Sequence, residues 1–324
     1  MDFDFAAELP KLLQLLIGVA AFLVVVAVIL VLLDRAPMRR RAWTHATILL
    51  LPAILLLAIG LVVPAVRTTL LSFMSGDGKE WVGMSNYAWM FTQPEAVIVL
   101  RNTLVWVLLV PLLVTSVGLV YAVLVDRTRF ESLAKSLVFL PMAISFVGAG
   151  IIWRFVYAYR SEEQDQIGLL NQITVAFGGE PQQWLQEAPL NTLFLIVVMV
   201  WIQAGFATVV LSAAIKGIPA EIVEAARLDG ASPLQMFFRV TLPSIRSAVI
   251  VVLVTQSIGT LKLFDIVRTM TGGQFDTSVI ANEMYNQAFR YGETGKGAAL
   301  AVFLFVLVTP IVIYQIRQRR EAVR

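Results

Sequence analysis

Between Leu12 and Leu33 the chain carries an apolar run of roughly 22 residues without a charge, enough to cross about 30 Å of hydrocarbon as a helix. Six further predominantly apolar runs follow, at about Ile48–Ser72, Val97–Val125, Leu133–Tyr157, Leu190–Ile215, Ser247–Val267 and Ala298–Ile316. Lipid offers backbone amides no water, so each run must satisfy its own hydrogen bonds as a helix. The expected fold is all-α and polytopic, with seven spans. Pro52 and Pro64 are tolerable in the second because neighbouring helices can satisfy the freed carbonyls, and Gly148-Ala149-Gly150 in the fourth allows close helix packing.

Charge fixes the expected direction of threading. Asp2, Asp4 and Glu8 precede the first run, and Arg35, Arg39, Arg40 and Arg41 follow it. Basic residues stay on the cytoplasmic side, so the N-terminus is expected outside, and this acidic start does not fit a cleaved signal peptide. Arg127, Arg129, Arg317, Arg319, Arg320 and Arg324 then fall inside, and the polar break from Tyr159 to Pro189, with Glu162, Glu163, Asp165, Glu180 and Glu187, falls outside.

Composition agrees: 58% of the 324 residues are hydrophobic, 15% are charged, and the mean hydropathy is +0.80. The net charge of +3 and pI near 9.3 report membrane topology rather than a nucleic-acid partner, because Lys and Arg cluster at the ends of apolar runs. With no Cys and one His, His45, the chain has no thiol chemistry and a poor basis for a metal site or a general base. No catalytic residue and no metal ligand is assigned.

One polar stretch, Glu224 to Pro243, lies between the fifth and sixth runs. Pro219 suits a helix start, and Glu221 and Glu224 place negative charge near its positive end. Ala225 and Ala226 leave a bare face that another protein surface can approach, and Glu224 and Arg227 are neighbours at i,i+3. Gly230 supplies a left-handed residue to end that helix. Ser232, Pro233 and Gln235 then read as cap, first-turn proline and third-position glutamine of a second short helix, closed by Leu242-Pro243.

Glu224-Ala225-Ala226, Gly230, Val240 and Leu242-Pro243 resemble the EAA loop of the integral-membrane subunits of ABC importers, and Asp229-Gly230-Ala231 with Thr241-Leu242-Pro243 resembles its sugar-permease form. Asn86-Tyr87, Arg101-Asn102-Thr103-Leu104, Leu140-Pro141, Trp153-Arg154, Gly168-Leu169-Leu170-Asn171 and Met270-Thr271-Gly272-Gly273 are similar, in order, to landmarks of maltose-type sugar permeases. Phe264-Asp265, Val279-Ile280-Ala281-Asn282 and Met284-Tyr285 look closest to the alpha-glucoside subgroup.

The resemblance implies a six-helix permease core over residues 47–320, preceded by one extra helix and a basic linker in residues 1–46 and followed by a tail, 321–324. It assigns Glu221, Glu224, Ala225, Ala226, Asp229, Gly230, Leu242 and Pro243 to the surface that docks a cytoplasmic ATPase. It further implies a second, homologous permease, an ATPase homodimer that binds the ATP and Mg, an extracytoplasmic sugar-binding protein, and a prokaryotic inner-membrane location. The long extra outer domain of the maltose permease has no counterpart here.

A solute path for sugar needs polar and aromatic side chains at mid-bilayer, because hydroxyls need partners and sugar faces stack on rings. Trp201, Gln203 and Phe206 lie within two turns of the fifth span; Thr255, Gly259 and Lys262 recur at i, i+4, i+7 on the sixth. The resemblance places sugar contacts at both levels, although the maltose permease carries amides where Gly259 and Lys262 stand. Each has a second reading: Trp201 and Phe206 as belt or packing aromatics, Gln203 as a bond between helices, Lys262 as a cation snorkelling to the interface beside Asp265.

Gly295-Lys296-Gly297 fails as a phosphate loop, since Arg290 replaces the first glycine and Gly297 the hydroxyl residue, so the chain itself is expected to bind no cofactor. The expectation is an ATP-driven importer subunit for a sugar, such as maltose, trehalose or sucrose. A polyol, glycerol phosphate or oligosaccharide is the alternative cargo, and a self-sufficient secondary carrier the more distant reading.

Overall fold

A computed structural model describes residues 5–34, 41–126, 128–161 and 163–322. Asp2, Asp4, Arg35, Arg39, Arg40, Arg127, Glu162 and Arg324, invoked above for topology, lie outside the described residues. The chain divides into two compact units at Arg67.

The first unit contains α1 (Phe5–Asp34) and α2 (Arg41–Leu57), which pack on each other. A π-helical turn, Ala58–Val62, then leads into α3 (Val63–Leu71). Pro64 has no N–H to donate and would crowd the carbonyl of Gly60 in a regular helix. The π register relieves this by letting the Val63 amide reach back to the Ala58 carbonyl.

In the second unit, α4 (Ser85–Thr92) leads to α5 (Pro94–Val125), which forms the central pair with α9 (Leu190–Lys216). Gly118 permits this approach, because any Cβ there would collide with the backbone of α9 at Ala207 and Thr208. Trp106, Val110, Val114, Leu195, Ile196, Met199 and Leu211 fill the contact, each almost completely buried. Between the two lie α6 (Glu131–Phe139), α7 (Phe146–Val156) and α8 (Leu169–Ala176). Beyond α9 come the short α10 (Ala220–Leu228), α11 (Pro233–Met236) and α12 (Leu242–Ser244), then α13 (Arg246–Leu261), α14 (Asp265–Met270), α15 (Ile280–Tyr285) and α16 (Thr294–Ala322). Helix α13 packs on α5, α14 on α7, and α15 on α16.

Among the described residues, five helices are long and apolar enough to span a membrane, and counting each of two bent pairs as one span gives up to seven. The fold is thus all-α and multi-pass, but two spans differ from the sequence expectation. The fourth is not one rod from Leu133 to Tyr157: α6 runs into a 3-10 turn, Leu140–Ala143, and the chain bends by 101° before α7. Pro141 sits in that turn, and Ser145 starts a new helix by accepting a hydrogen bond from the Gly148 amide at 3.1 Å. The sixth ends at Leu261, not Val267; the Lys262 and Leu263 amides close tight turns to Gly259 and Thr260, and α14 starts separately.

The glycines of Gly295-Lys296-Gly297 have structural duties. A Cβ on Gly295 would strike the Met74 carbonyl, and one on Gly297 would meet Ala288 at 2.7 Å. The start of α16 is thereby seated on the segment after α3, where the Thr294 amide donates to the Gly76 carbonyl at 2.8 Å.

Candidate functional site

The segment between α9 and α13 folds as the residues dictate. Glu221 occupies the first turn of α10, and Gly230 ends that helix at φ 78°. The Ala231 amide donates to the Ala226 carbonyl at 3.0 Å and the Gly230 amide to Arg227 at 3.1 Å, the paired bonds of a Schellman motif. Helix α11 opens with a complete capping box: Ser232 Oγ accepts from the Gln235 amide at 3.3 Å, and Gln235 Oε1 accepts from the Ser232 amide at 2.9 Å. Leu242-Pro243 does not stop the chain. A second π turn, Phe237–Thr241, lets the Leu242 amide reach Phe237 just before the proline, and the bend of 70° comes at Ile245.

Glu221, Glu224, Ala225, Asp229, Gly230 and Pro243 are exposed, and Ala226 and Leu242 are half-buried. Among the described residues Glu224 and Arg227 form no ion pair, and both are exposed. The sequence reading overlooked Leu228, Leu234 and Phe238, which are 89%, 71% and 61% exposed. Large apolar side chains in a polar, inter-span segment were the available signal; burying such groups against another surface is favourable at about 25 cal/mol per Å².

The root of this segment is tied to the helix ends beside it. Lys135 Nζ pairs with Asp126 at 2.6 Å and Glu131 at 2.7 Å and also meets Ser212 Oγ, while Lys216 pairs with Glu131. These contacts join the ends of α5, α6 and α9 where α9 passes into α10.

The proposed solute-path residues fall into two groups. Gln203, half-buried, lines a cavity of about 280 Å³ with Met142, Ile144, Ser145 and Phe146, at the break between α6 and α7. Irregular backbone at membrane depth is tolerated where it faces a cavity or is buried in protein. Trp201 meets Trp153 edge to face at 5.6 Å, and Trp153 lies 5.2 Å from Tyr157. Phe206 packs half-buried against the α5–α9 core. Thr255, Gly259 and Lys262 are exposed along α13 and its end. Lys262 lies in the C-cap rather than in the helix, and it pairs with neither Asp265 nor any other acid among the described residues. It edges a separate apolar recess of about 350 Å³ with Phe264 and Tyr285.

Comparison with known proteins places these features in context. The family described as binding-protein-dependent transport system inner membrane component matches residues 99–321. The osmoprotective compounds uptake permease protein GgtC of Synechocystis sp. is 49% identical over 267 residues, covering 82% of this chain and 96% of GgtC. The alpha-glucoside transport system permease protein AglF of Rhizobium meliloti is likewise 49% identical, over 269 residues, covering 83% and 80%. A bacterial ABC transporter involved in alginate import matches in fold with a TM-score of 0.73 at 23% identity, covering 87% of this chain and 97% of its own.

Proposed function

Because this chain belongs to the binding-protein-dependent transport system inner membrane components and is a sugar ABC importer permease, we propose that it forms half of a translocation path for an alpha-glucoside, driven by a separate ATPase. The observation that carries the coupling reading is the exposure of Leu228, Leu234 and Phe238 on a locally capped helix pair between spans. A helix pair of this kind buries those side chains when it seats in the cleft of a partner. Glu221, Glu224, Ala225, Ala226, Asp229 and Gly230 surround them, with Leu242 and Pro243 at the exit.

ATP binding by the partner closes the ATPase homodimer and moves α10 and α11. The Lys135 and Lys216 ion pairs pass that motion to the ends of α5, α6 and α9. The cavity beside Gln203, with Trp201 and Phe206 near it and Thr255, Gly259 and Lys262 on α13, then receives solute from an extracytoplasmic binding protein. A second, homologous permease supplies the other half. ATP and Mg reside on the ATPase, and this chain carries no catalytic group. Residues 47–320 act as the transport core, after one extra helix. The N-terminus faces outward and the C-terminus the cytoplasm, because that threading puts the arginine clusters inside.

A second cargo has equal support: GgtC is as similar as AglF, and its name assigns it osmoprotective compounds. The deciding experiment isolates the complex by a tag on this chain and measures ATPase activity with its binding protein and maltose, trehalose, sucrose or polyols. Stimulation by one alpha-linked disaccharide is expected. Stimulation by polyols alone transfers the cargo to the osmoprotectant class, and recovery of no ATPase overturns the coupling reading.

A further inference from the structure

Phe264, Tyr285 and Phe289 have no role in the sites above, yet their rings form a continuous row. Phe264 and Tyr285 lie 5.4 Å apart centre to centre, tilted by 51°, and Tyr285 and Phe289 lie 5.3 Å apart, tilted by 41°. Exposure falls along the row: Phe289 is 76% exposed, Tyr285 37%, and Phe264 half-buried. Phe264 sits on the wall of the apolar recess of about 350 Å³, which also takes in Lys262, Met284 and Leu304. Lys262 is in turn the last member of the exposed stripe Thr255, Gly259 and Lys262. The row therefore links an exposed position to the solute-path residues of α13.

The bundle holds the row from behind. Helix α9 runs from the coupling segment to the opposite membrane face, where a cavity of about 440 Å³, the outer recess, opens between the end of α7, the segment before α9 and the loop after α14. On one wall Asn171 donates to the carbonyls of Ala158 and Gln182, each at 3.0 Å. On the other, Asn102 donates to the carbonyls of Asp276 at 2.5 Å and Ser278 at 3.1 Å, and Asn191 to that of Phe275 at 2.7 Å. Just beyond, Thr103 Oγ1 accepts from the Ile280 amide at 3.0 Å, which fixes the start of α15 and with it Tyr285 at its end. Arg268 stands between the outer recess and the row: it lines the recess, bonds Asn286 Oδ1 at 3.0 Å, and lies 4.7 Å from the Tyr285 ring centre. Rings fixed in advance spare a ligand the cost of ordering them. Phe289 is carried by a third π turn, Asn286–Arg290, which unlike the other two has no proline after it to accommodate; π turns recur at functional positions.

The chemistry of the row suits a sugar. An aromatic ring carries negative charge on its face, and a pyranose presents a face of C–H groups that stacks there while its hydroxyls reach the rim. The rim here can answer them: among the described residues Tyr285 Oη makes no hydrogen bond and Lys262 Nζ has no acid partner. An acyl chain would use neither donor. Rings in contact with one another also let a stacked ligand move from one to the next without returning to water in between.

We propose that Phe289, Tyr285 and Phe264 form a stacking track along which a glucosyl ring passes from the outer mouth to the level of Lys262; this rests on the importer reading. The test purifies the complex by a tag on this chain and reconstitutes it in vesicles with saturating binding protein and whichever of maltose, trehalose and sucrose stimulates it. The quantity followed is sugar taken up per ATP hydrolysed. Y285L is expected to lower that ratio roughly fivefold and F289L about twofold, while Y285F, which keeps the ring, stays near the unmodified value. A fault in folding or assembly lowers uptake and hydrolysis together and leaves the ratio in place. Ratios unchanged in both Y285L and F289L, or equally low in Y285L and Y285F, would overturn the track and leave the importer standing. The same holds if F289L reduces recovery of the second permease, since the exposed ring would then be a subunit contact. No stimulation of the unmodified complex by any of the three sugars would instead remove the alpha-glucoside reading, and the track with it.

Discussion

The coupling segment and the outer recess sit at opposite ends of α9 and are held in opposite ways. Around the coupling segment the bonds are local: a Schellman motif and a capping box within about a dozen residues, with the left-handed position given to Gly230, where a Cβ would touch nothing. Around the recess they cross long stretches of chain, Asn102 reaching Asp276 and Asn191 reaching Phe275, and Phe275 joins Gly272, Gly273 and Asp276 at positive φ although its side chain disfavours it. The unit proposed to move as a piece against an ATPase is folded by its own sequence. A surface that must keep its shape is best braced by the bundle.

The largest effect should come from breaking the local unit. Glu224→Lys combined with Gly230→Val is expected to abolish uptake, because it reverses charge on the docking face and puts a β-branched residue at φ 78°; full transport in the double variant would refute the coupling assignment. Gly230→Asn, which tolerates the left-handed region, should restore most transport in the presence of native Glu224.

Next, Leu228→Ser with Phe238→Ser should sharply reduce the ATPase recovered with the tagged chain while leaving its thermal unfolding midpoint in place, since both side chains are exposed. An unchanged yield of ATPase would show that these side chains are not the contact.

The opposite pattern is expected at the recess. Asn102→Ala leaves two carbonyls without their donor and should destabilise by about 1–3 kcal/mol, read as a lowered unfolding midpoint in detergent. A midpoint equal to that of the unmodified protein would mean the bracing is dispensable. The smallest effect belongs to Ser232→Ala, which removes one capping bond worth about 1 kcal/mol and should slow uptake less than twofold. A larger loss would show that α11 depends on its cap alone.

Much of this was legible in the residues. Seven apolar runs pointed to a multi-pass, all-α fold, since lipid leaves the backbone no other partner. Gly230, Ser232 and Gln235 specified their turn and cap because the groups they satisfy are only a few positions away. The break at Ile144 was not legible: Pro141 is compatible with a continuous helix in a membrane, and only packing of α9 against Val138 and Phe139, where Gly205 allows close approach, shows the actual path. That Lys262 falls in the C-cap of α13 rather than within the helix was not legible either, because nothing local announces that α13 stops at Leu261.

The sequence by itself determined the multi-pass, α-helical class and the form of α10 and α11, set by hydrophobicity and by bonds between near neighbours. The tertiary structure alone decided where spans four and six break, that Gln203 faces a cavity, and that Asn102, Asn171 and Asn191 close around one recess. Each of those depends on groups tens to hundreds of residues apart, whose meeting is fixed by how the helices pack.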